Sequence, residues 1–184
     1  MFDLMPNMCY NEYRDFNIYM EVRDLFKVGD KVVYPMQGTG VIESIEERDF
    51  LGEIQQYYII EMITQDMQIM IPSSKIRESN LRLISDQSTL NNVLSDFTTK
   101  DPHTTKATPP KQRYKIHMDK IKSGSLEESA EVIWDLVCLN KEKTLNATEK
   151  QMLTNARKFL TGEMALIKKI TEDEANELLD TCIS

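Results

Sequence analysis

At Leu83 the hydrophobic pattern of this chain changes period, and no single regular architecture accommodates both halves. Upstream, Lys31–Pro35, Gly40–Glu47, Ile54–Ile63 and Met67–Ile71 are short runs rich in Val, Ile and Tyr, broken by Gly29-Asp30, Gly38-Thr39-Gly40 and Gly52. Short β-branched and aromatic runs between turn residues are strands of an antiparallel sheet. Gln65-Asp66 reads as the tip of the last hairpin, and Pro72-Ser73-Ser74 closes the sheet because proline cannot donate to a ladder. Downstream, Leu90, Val93, Leu94 and Phe97 recur at helical spacing after Ser88, and Tyr114, Met118 and Ile121 form a second such seam.

Three cap patterns divide the rest: Ser125-Leu-Glu-Glu128, Asn146-Ala-Thr-Glu149 and Thr171-Glu-Asp-Glu174. In each, a short oxygen-bearing side chain can accept an orphan amide while the Glu three residues later reaches back, so each predicts a helix start. The sets Leu126, Ala130, Ile133, Val137, then Met152, Ala156, Phe159, Leu160, then Ala175, Leu178, Leu179, Cys182 have the spacing to share a core. The expected fold class is α+β: a small half-open antiparallel barrel of the SH3 or Tudor kind, followed by an all-α bundle of four or five helices.

Charge sets the second constraint. The chain carries a formal net charge of −8, yet between Lys100 and Lys122 seven cations stand against only Asp101 and Asp119. A local reversal of this kind suits a phosphate-facing surface, and a solvated lysine-rich linker is the other reading of the same stretch. Thr98 to Pro110, with Pro102, Pro109, Pro110 and no apolar stripe, is expected to be a loop.

Catalytic chemistry has no foothold in the pattern. His103 and His117 are the only histidines, expected in a loop and on the wet edge of a helix, and neither lies near a nucleophile or a spaced carboxylate pair. Gly38-Thr-Gly40 opens a strand where a phosphate loop would open a helix. Cys9, Cys138 and Cys182 are too far apart for a metal cluster and odd in number for a disulfide framework. The expectation is a cytoplasmic non-enzyme with no cofactor, no metal, no small-molecule substrate and no membrane contact. Met1 to Asp24, with Tyr10, Tyr13, Phe16 and Tyr19 among acids, is expected to be an extension or short helix.

The run Phe26-Lys-Val-Gly-Asp-Lys-Val-Val-Tyr-Pro35, then Gly38, Gly40-Val-Ile-Glu43, Gly52-Glu53 and Ile71-Pro72, resembles the N-terminal signature of the CarD/CdnL family of bacterial transcription regulators. Ser123-Gly124, Ala130-Glu-Val-Ile133, Asp135-Leu136, Glu149-Lys150, Ala156-Arg157 and Glu163-Met-Ala-Leu166 are similar to its helical domain, in the same order. The resemblance runs from about Phe26 to about Leu179. It implies an N-terminal extension (1–25), a Tudor-like domain that binds the RNA polymerase β-subunit lobe (26–86), a helix and linker (87–110) and a helical domain that contacts promoter DNA near the upstream edge of the melted bubble (111–184).

Carried over residue by residue, the resemblance assigns Arg48 to the polymerase contact, while the strand pattern itself puts the exposed edge of the small barrel at Met67 to Ile71, with Ile69 and Met70, where a partner strand can add. Met70 stands where relatives often have arginine, which implies a more apolar interface. On the DNA side it assigns Arg113, Lys115 and Lys150, with Pro110 at the position of a tryptophan wedge. Trp134, the only tryptophan, is expected to pack between helices because Glu127, Glu131 and Asp135 surround it in sequence. The implied function is modulation of open-complex stability without sequence readout, the alternative being a polymerase-binding adaptor whose helical domain contacts another protein.

Overall fold

A computed structural model describes residues 25–50, 52–63, 67–99 and 109–183. Gln65-Asp66, most of the expected linker with Lys100, His103 and Lys106, and the segment Met1 to Asp24 lie outside the described residues. In the sheet, β1 (Lys31–Tyr34), β2 (Gly38–Phe50), β3 (Glu53–Met62), β4 (Gln68–Pro72) and β5 (Arg82–Leu83) are ordered β4-β3-β2-β1-β5, all pairings antiparallel. β4 and β5 are not paired to each other, so the barrel stays open and both are edges.

Alternation explains one face of the sheet. The register sets Ile42 opposite Ile60, Ile60 opposite Ile69 and Tyr58 opposite Ile71, so these side chains share a face with Val32 and Met62 in one core. Phe26 closes it with its ring edge-on to Tyr58, centroids 6.1 Å apart. At Gly40 an added Cβ would meet the Glu61 carbonyl oxygen at 2.8 Å, so only glycine lets β2 and β3 approach there.

β2 is longer than the expected Gly40–Glu47. Its polar end carries no apolar alternation, yet Glu46, Glu47, Arg48 and Asp49 pair with Tyr57, Gln56, Gln55 and Ile54 in the ladder. The hairpin is closed by Asp49 Oδ1, which accepts the Gly52 amide at 2.8 Å.

The helices are α1 (Gln87–Thr99), α2 (Pro110–Ser123), α3 (Leu126–Glu142), α4 (Ala147–Lys168) and α5 (Glu172–Ile183). α1 starts one step before the expected Ser88, because Asp86 Oδ1 accepts both the Thr89 amide (2.7 Å) and the Ser88 hydroxyl (2.8 Å). Its Leu90, Val93 and Phe97 enter the same core as Leu126, Ile133, Leu136, Met152, Leu160 and Leu179. α1 is thus part of the helical core.

The caps behave largely as the sequence predicts. Asn146 and Glu149 form a complete capping box at α4, and Thr171 and Glu174 exchange the same pair of bonds at α5. At α3 the box is half made: Ser125 Oγ accepts the Glu128 amide at 3.2 Å, but the Glu128 carboxylate takes the Ser123 hydroxyl instead.

α2 departs from its expected seam. Burial begins at His117 and Ile121, and Tyr114 is 43% exposed, because the first two turns of α2 stand clear of the core. His117 is not on a wet edge: it is buried, with Nε2 3.2 Å from Asp135 Oδ2 on α3. Among the described residues no helix is long and apolar enough to cross a membrane.

Among the described residues, sheet and bundle meet at a cluster of hydrogen bonds around Arg82 and Glu163 and at contacts made by Gly124 and Gly162. Arg82 on β5 donates from Nη1 and Nη2 to the two oxygens of Glu163 on α4, both at 2.7 Å, and from Nε to the Gly124 carbonyl at 2.7 Å. Glu163 Oε1 also accepts the Ser85 amide at 2.7 Å, and this glutamate is only 2% exposed. Gly124 caps α2 at φ +75°, and a Cβ there would meet Pro35 Cγ at 2.8 Å. Gly162 on α4 faces Thr39 of β2.

Candidate functional site

Two surfaces gather the residues singled out in the sequence. The first is the face of the sheet turned away from its core, where cross-strand pairing sets Ser44, Ile59 and Met70 in one row and Arg48 beside Gln55 two rows along. Arg48, Ile59, Ile69 and Met70 line a groove of about 250 Å³, rimmed by Glu43 and Gln68, which bond to each other at 2.6 Å. The groove is mostly polar, lined by Glu43, Ser44, Glu46, Arg48 and Gln68, with Ile59 buried in it although that side chain faces away from the core.

Arg48 was expected just past the end of a strand, but the longer β2 holds it in the ladder, 52% exposed. Its Nε and Nη2 donate to Glu46 Oε2 at 3.1 and 2.8 Å. That hydrogen bond, with one from the Ser44 hydroxyl, lowers the Glu46 carboxyl below its ordinary value. The pair is solvated and holds the guanidinium only loosely.

Met67 and Met70 are exposed at the β4 edge, and Ile69 is half-buried. Ile71 is different. It points into the sheet core opposite Tyr58 and is 5% exposed, so alternation leaves only its backbone to offer a partner.

The second surface is formed by the N-terminal ends of α2 and α4. Arg113 donates from Nη2 to Glu149 Oε1 at 2.5 Å, which ties the first turn of α2 to the capping box of α4. Arg113 is therefore half-buried and committed to a structural ion pair; the exposed cations of the assigned set are Lys115 and Lys150. Pro110 is exposed at the first helical position, where its missing amide is no loss. One turn on, on the same side of the helix, stands the exposed ring of Tyr114.

Burial alone would raise the Glu149 carboxyl. The hydrogen bonds from Arg113 and the Asn146 amide, and the charges of Arg113 and Lys143, outweigh it and hold the group below its ordinary 4.5. Lys143, at the C-cap of α3, is thus a further exposed cation beside this junction, and no local sequence signal places it there. A carboxyl with a lowered folded-state value stabilises above its unfolded value and loses that contribution as pH falls through the folded one. Glu149→Gln should accordingly be less stable than the parent above about pH 4.5, with the gap closing on further acidification in denaturant titrations. A gap that stays constant from pH 7 to pH 3 would refute the assignment.

Trp134 is half-buried on α3 and packs against Phe97 of α1, centroids 6.1 Å apart and planes tilted by 54°. It fills the space between helices, as the sequence predicts.

Comparison with known proteins divides the chain at the same junction. The CarD-like/TRCF RID domain matches residues 26–85, and the CarD C-terminal domain matches residues 92–180. The chain belongs to the CarD family. "Putative transcription factor YdeB" of Bacillus subtilis (strain 168) is 49% identical over 150 residues, covering 82% of this chain and 97% of that protein. This CarD-family transcription factor thus pairs a Tudor-like RID sheet with a helical C-terminal domain. The Arg82–Glu163 claw lies between the two matched domains.

Proposed function

We propose that this CarD-family protein binds RNA polymerase through the groove along β4 and, with the N-terminal ends of α2 and α4, holds promoter DNA by its backbone near the upstream edge of the melted bubble, changing the stability of open complexes. The observation that carries the polymerase contact is the convergence of Arg48, Ile59 and Met70 in one groove beside an open strand edge. Unpaired β4 groups can accept a partner strand by β-augmentation, while the groove takes alternate side chains and Arg48 a carboxylate. Methionine adapts to an irregular partner surface, which suits Met70 at this edge.

The DNA contact is supported by Lys115 and Lys150 near two helix N-termini. Lys150, the fourth residue of α4, stands at the positive end of its helix dipole, unfavourable by about a few tenths of a kcal/mol unless an anion is near, and phosphate supplies one. Pro110 and Tyr114 give the same end of α2 an apolar corner, with the ring on Tyr114. Contacts of this kind position a protein without reading sequence.

Arg48→Glu tests the groove. Surface charge changes of this type alter stability by less than about 0.5 kcal/mol, whereas a like charge set against a complementary interface costs several. The variant should keep its thermal midpoint and bind the isolated β lobe at least about tenfold more weakly, a difference of about 1.4 kcal/mol. Equal affinity in a titration would remove Arg48 and its groove from the interface.

A further inference from the structure

Arg82 and Glu163 form a claw that reaches from the sheet to both helices bearing the exposed lysines. The Arg82 backbone is fixed to β1 opposite Val33, and its guanidinium grips the Glu163 carboxylate of α4 with two bonds and the Gly124 carbonyl at the C-cap of α2 with a third. The Ser85 amide adds a third bond to the same carboxylate. Lys115 is on α2 and Lys150 on α4, so one planar group on the sheet bonds at once to α4 and to the C-cap of α2. A flat apolar contact between domains permits sliding, but a planar fork on a buried carboxylate fixes distance and angle together.

We propose that this claw is the device that couples the two surfaces: Arg82 and Glu163 are positioning residues that touch neither partner, and the protein acts on open complexes only while they hold the groove on β4 and the lysines of α2 and α4 in one orientation. The inference rests on the two-contact reading above. Beside the claw, Gly124 lies against Pro35, and Gly162 on α4 is within van der Waals range of Thr39 on β2. These contacts supply packing without a directional bond, since Thr39 Oγ1 is buried with no hydrogen-bond partner, so the claw is the directional polar contact beside them.

Glu163→Gln and Arg82→Lys test it with the full chain. Glutamine keeps the shape of Glu163 but not its charge or its paired acceptors, and lysine keeps the charge of Arg82 but not the fork. Three readouts are compared: affinity for the β lobe, affinity for promoter DNA, and the dissociation rate of open complexes. Pulsed dipolar distances between labels carried by genetically encoded ketone-bearing residues at exposed Ser74 and Lys158 report the domain orientation.

Both variants should keep the two affinities within about twofold, broaden the distance distribution and lose most of the parent's effect on dissociation, a change of at least about tenfold where that effect is large. A disulfide from Thr39→Cys with Gly162→Cys, positions where a Cβ on residue 162 lies 3.6 Å from the Thr39 hydroxyl oxygen, should narrow the distribution and restore the effect in Glu163→Gln, and a reductant should remove both. Broadened distances with an undiminished effect would overturn the coupling, and unbroadened distances in both variants would overturn the claw as what fixes the domains. A parent that alters no open complex would overturn the two-contact reading together with the inference, which distinguishes that failure from the other two.

Discussion

Glu163→Ala is expected to lower the thermal unfolding midpoint by about 6–20 °C. The substitution leaves the Arg82 guanidinium, half-buried at the domain junction, and the Ser85 amide without the carboxylate that satisfies both. Removing one partner of a buried ion pair costs about 3–5 kcal/mol, because the remaining charge stays desolvated and uncompensated. For a chain of this size each kcal/mol moves the midpoint by about 2–4 °C. Calorimetric scans at neutral pH would check it, and a shift under about 2 °C would mean that water replaces the carboxylate at little cost. Arg157→Ala provides the contrast, since its partner Asp180 is largely exposed and the pair should be worth less than about 1 kcal/mol.

Lys115→Glu combined with Lys150→Glu should retain polymerase binding and abolish the effect on open complexes. Both lysines are exposed on the helical domain, away from the sheet groove, so their reversal leaves the β-lobe contact untouched. Each phosphate contact releases condensed counterions and contributes about 0.9 to the slope of log affinity against log salt. Loss of both should therefore flatten the salt dependence of DNA binding by about 2 in slope. A double variant with the parent's slope and the parent's open-complex lifetimes would indicate that the helical domain acts on something other than phosphate, and the adaptor reading would take its place.

Arg113 shows how a cation of a basic run is drawn into the fold. In sequence it is one more cation in a basic run, and nothing within a few positions distinguishes it from Lys115. In the fold its partner is Glu149, 36 residues away, and that pairing makes it part of the α2–α4 junction. The same limit applies to Tyr114 and His117. Helical spacing allows either to continue the stripe that ends at Ile121, and only the point at which α2 meets the bundle decides that His117 is buried and Tyr114 is not.

What the sequence determined by itself is what short-range chemistry encodes: the change of period near Leu83, the glycine-bounded strands, the caps at Ser125, Asn146 and Thr171, and the ordered signatures of the CarD family. Each of these is specified by residues within one turn or one strand of each other, so pattern suffices to read them. The tertiary structure alone decided which side chains of a basic run remain exposed, that Ile71 turns inward while Met70 turns outward, and that Arg82 closes on Glu163 across 81 residues of chain. Burial and ion pairing depend on which elements come to lie side by side, and a local pattern carries no record of a neighbour that only folding supplies.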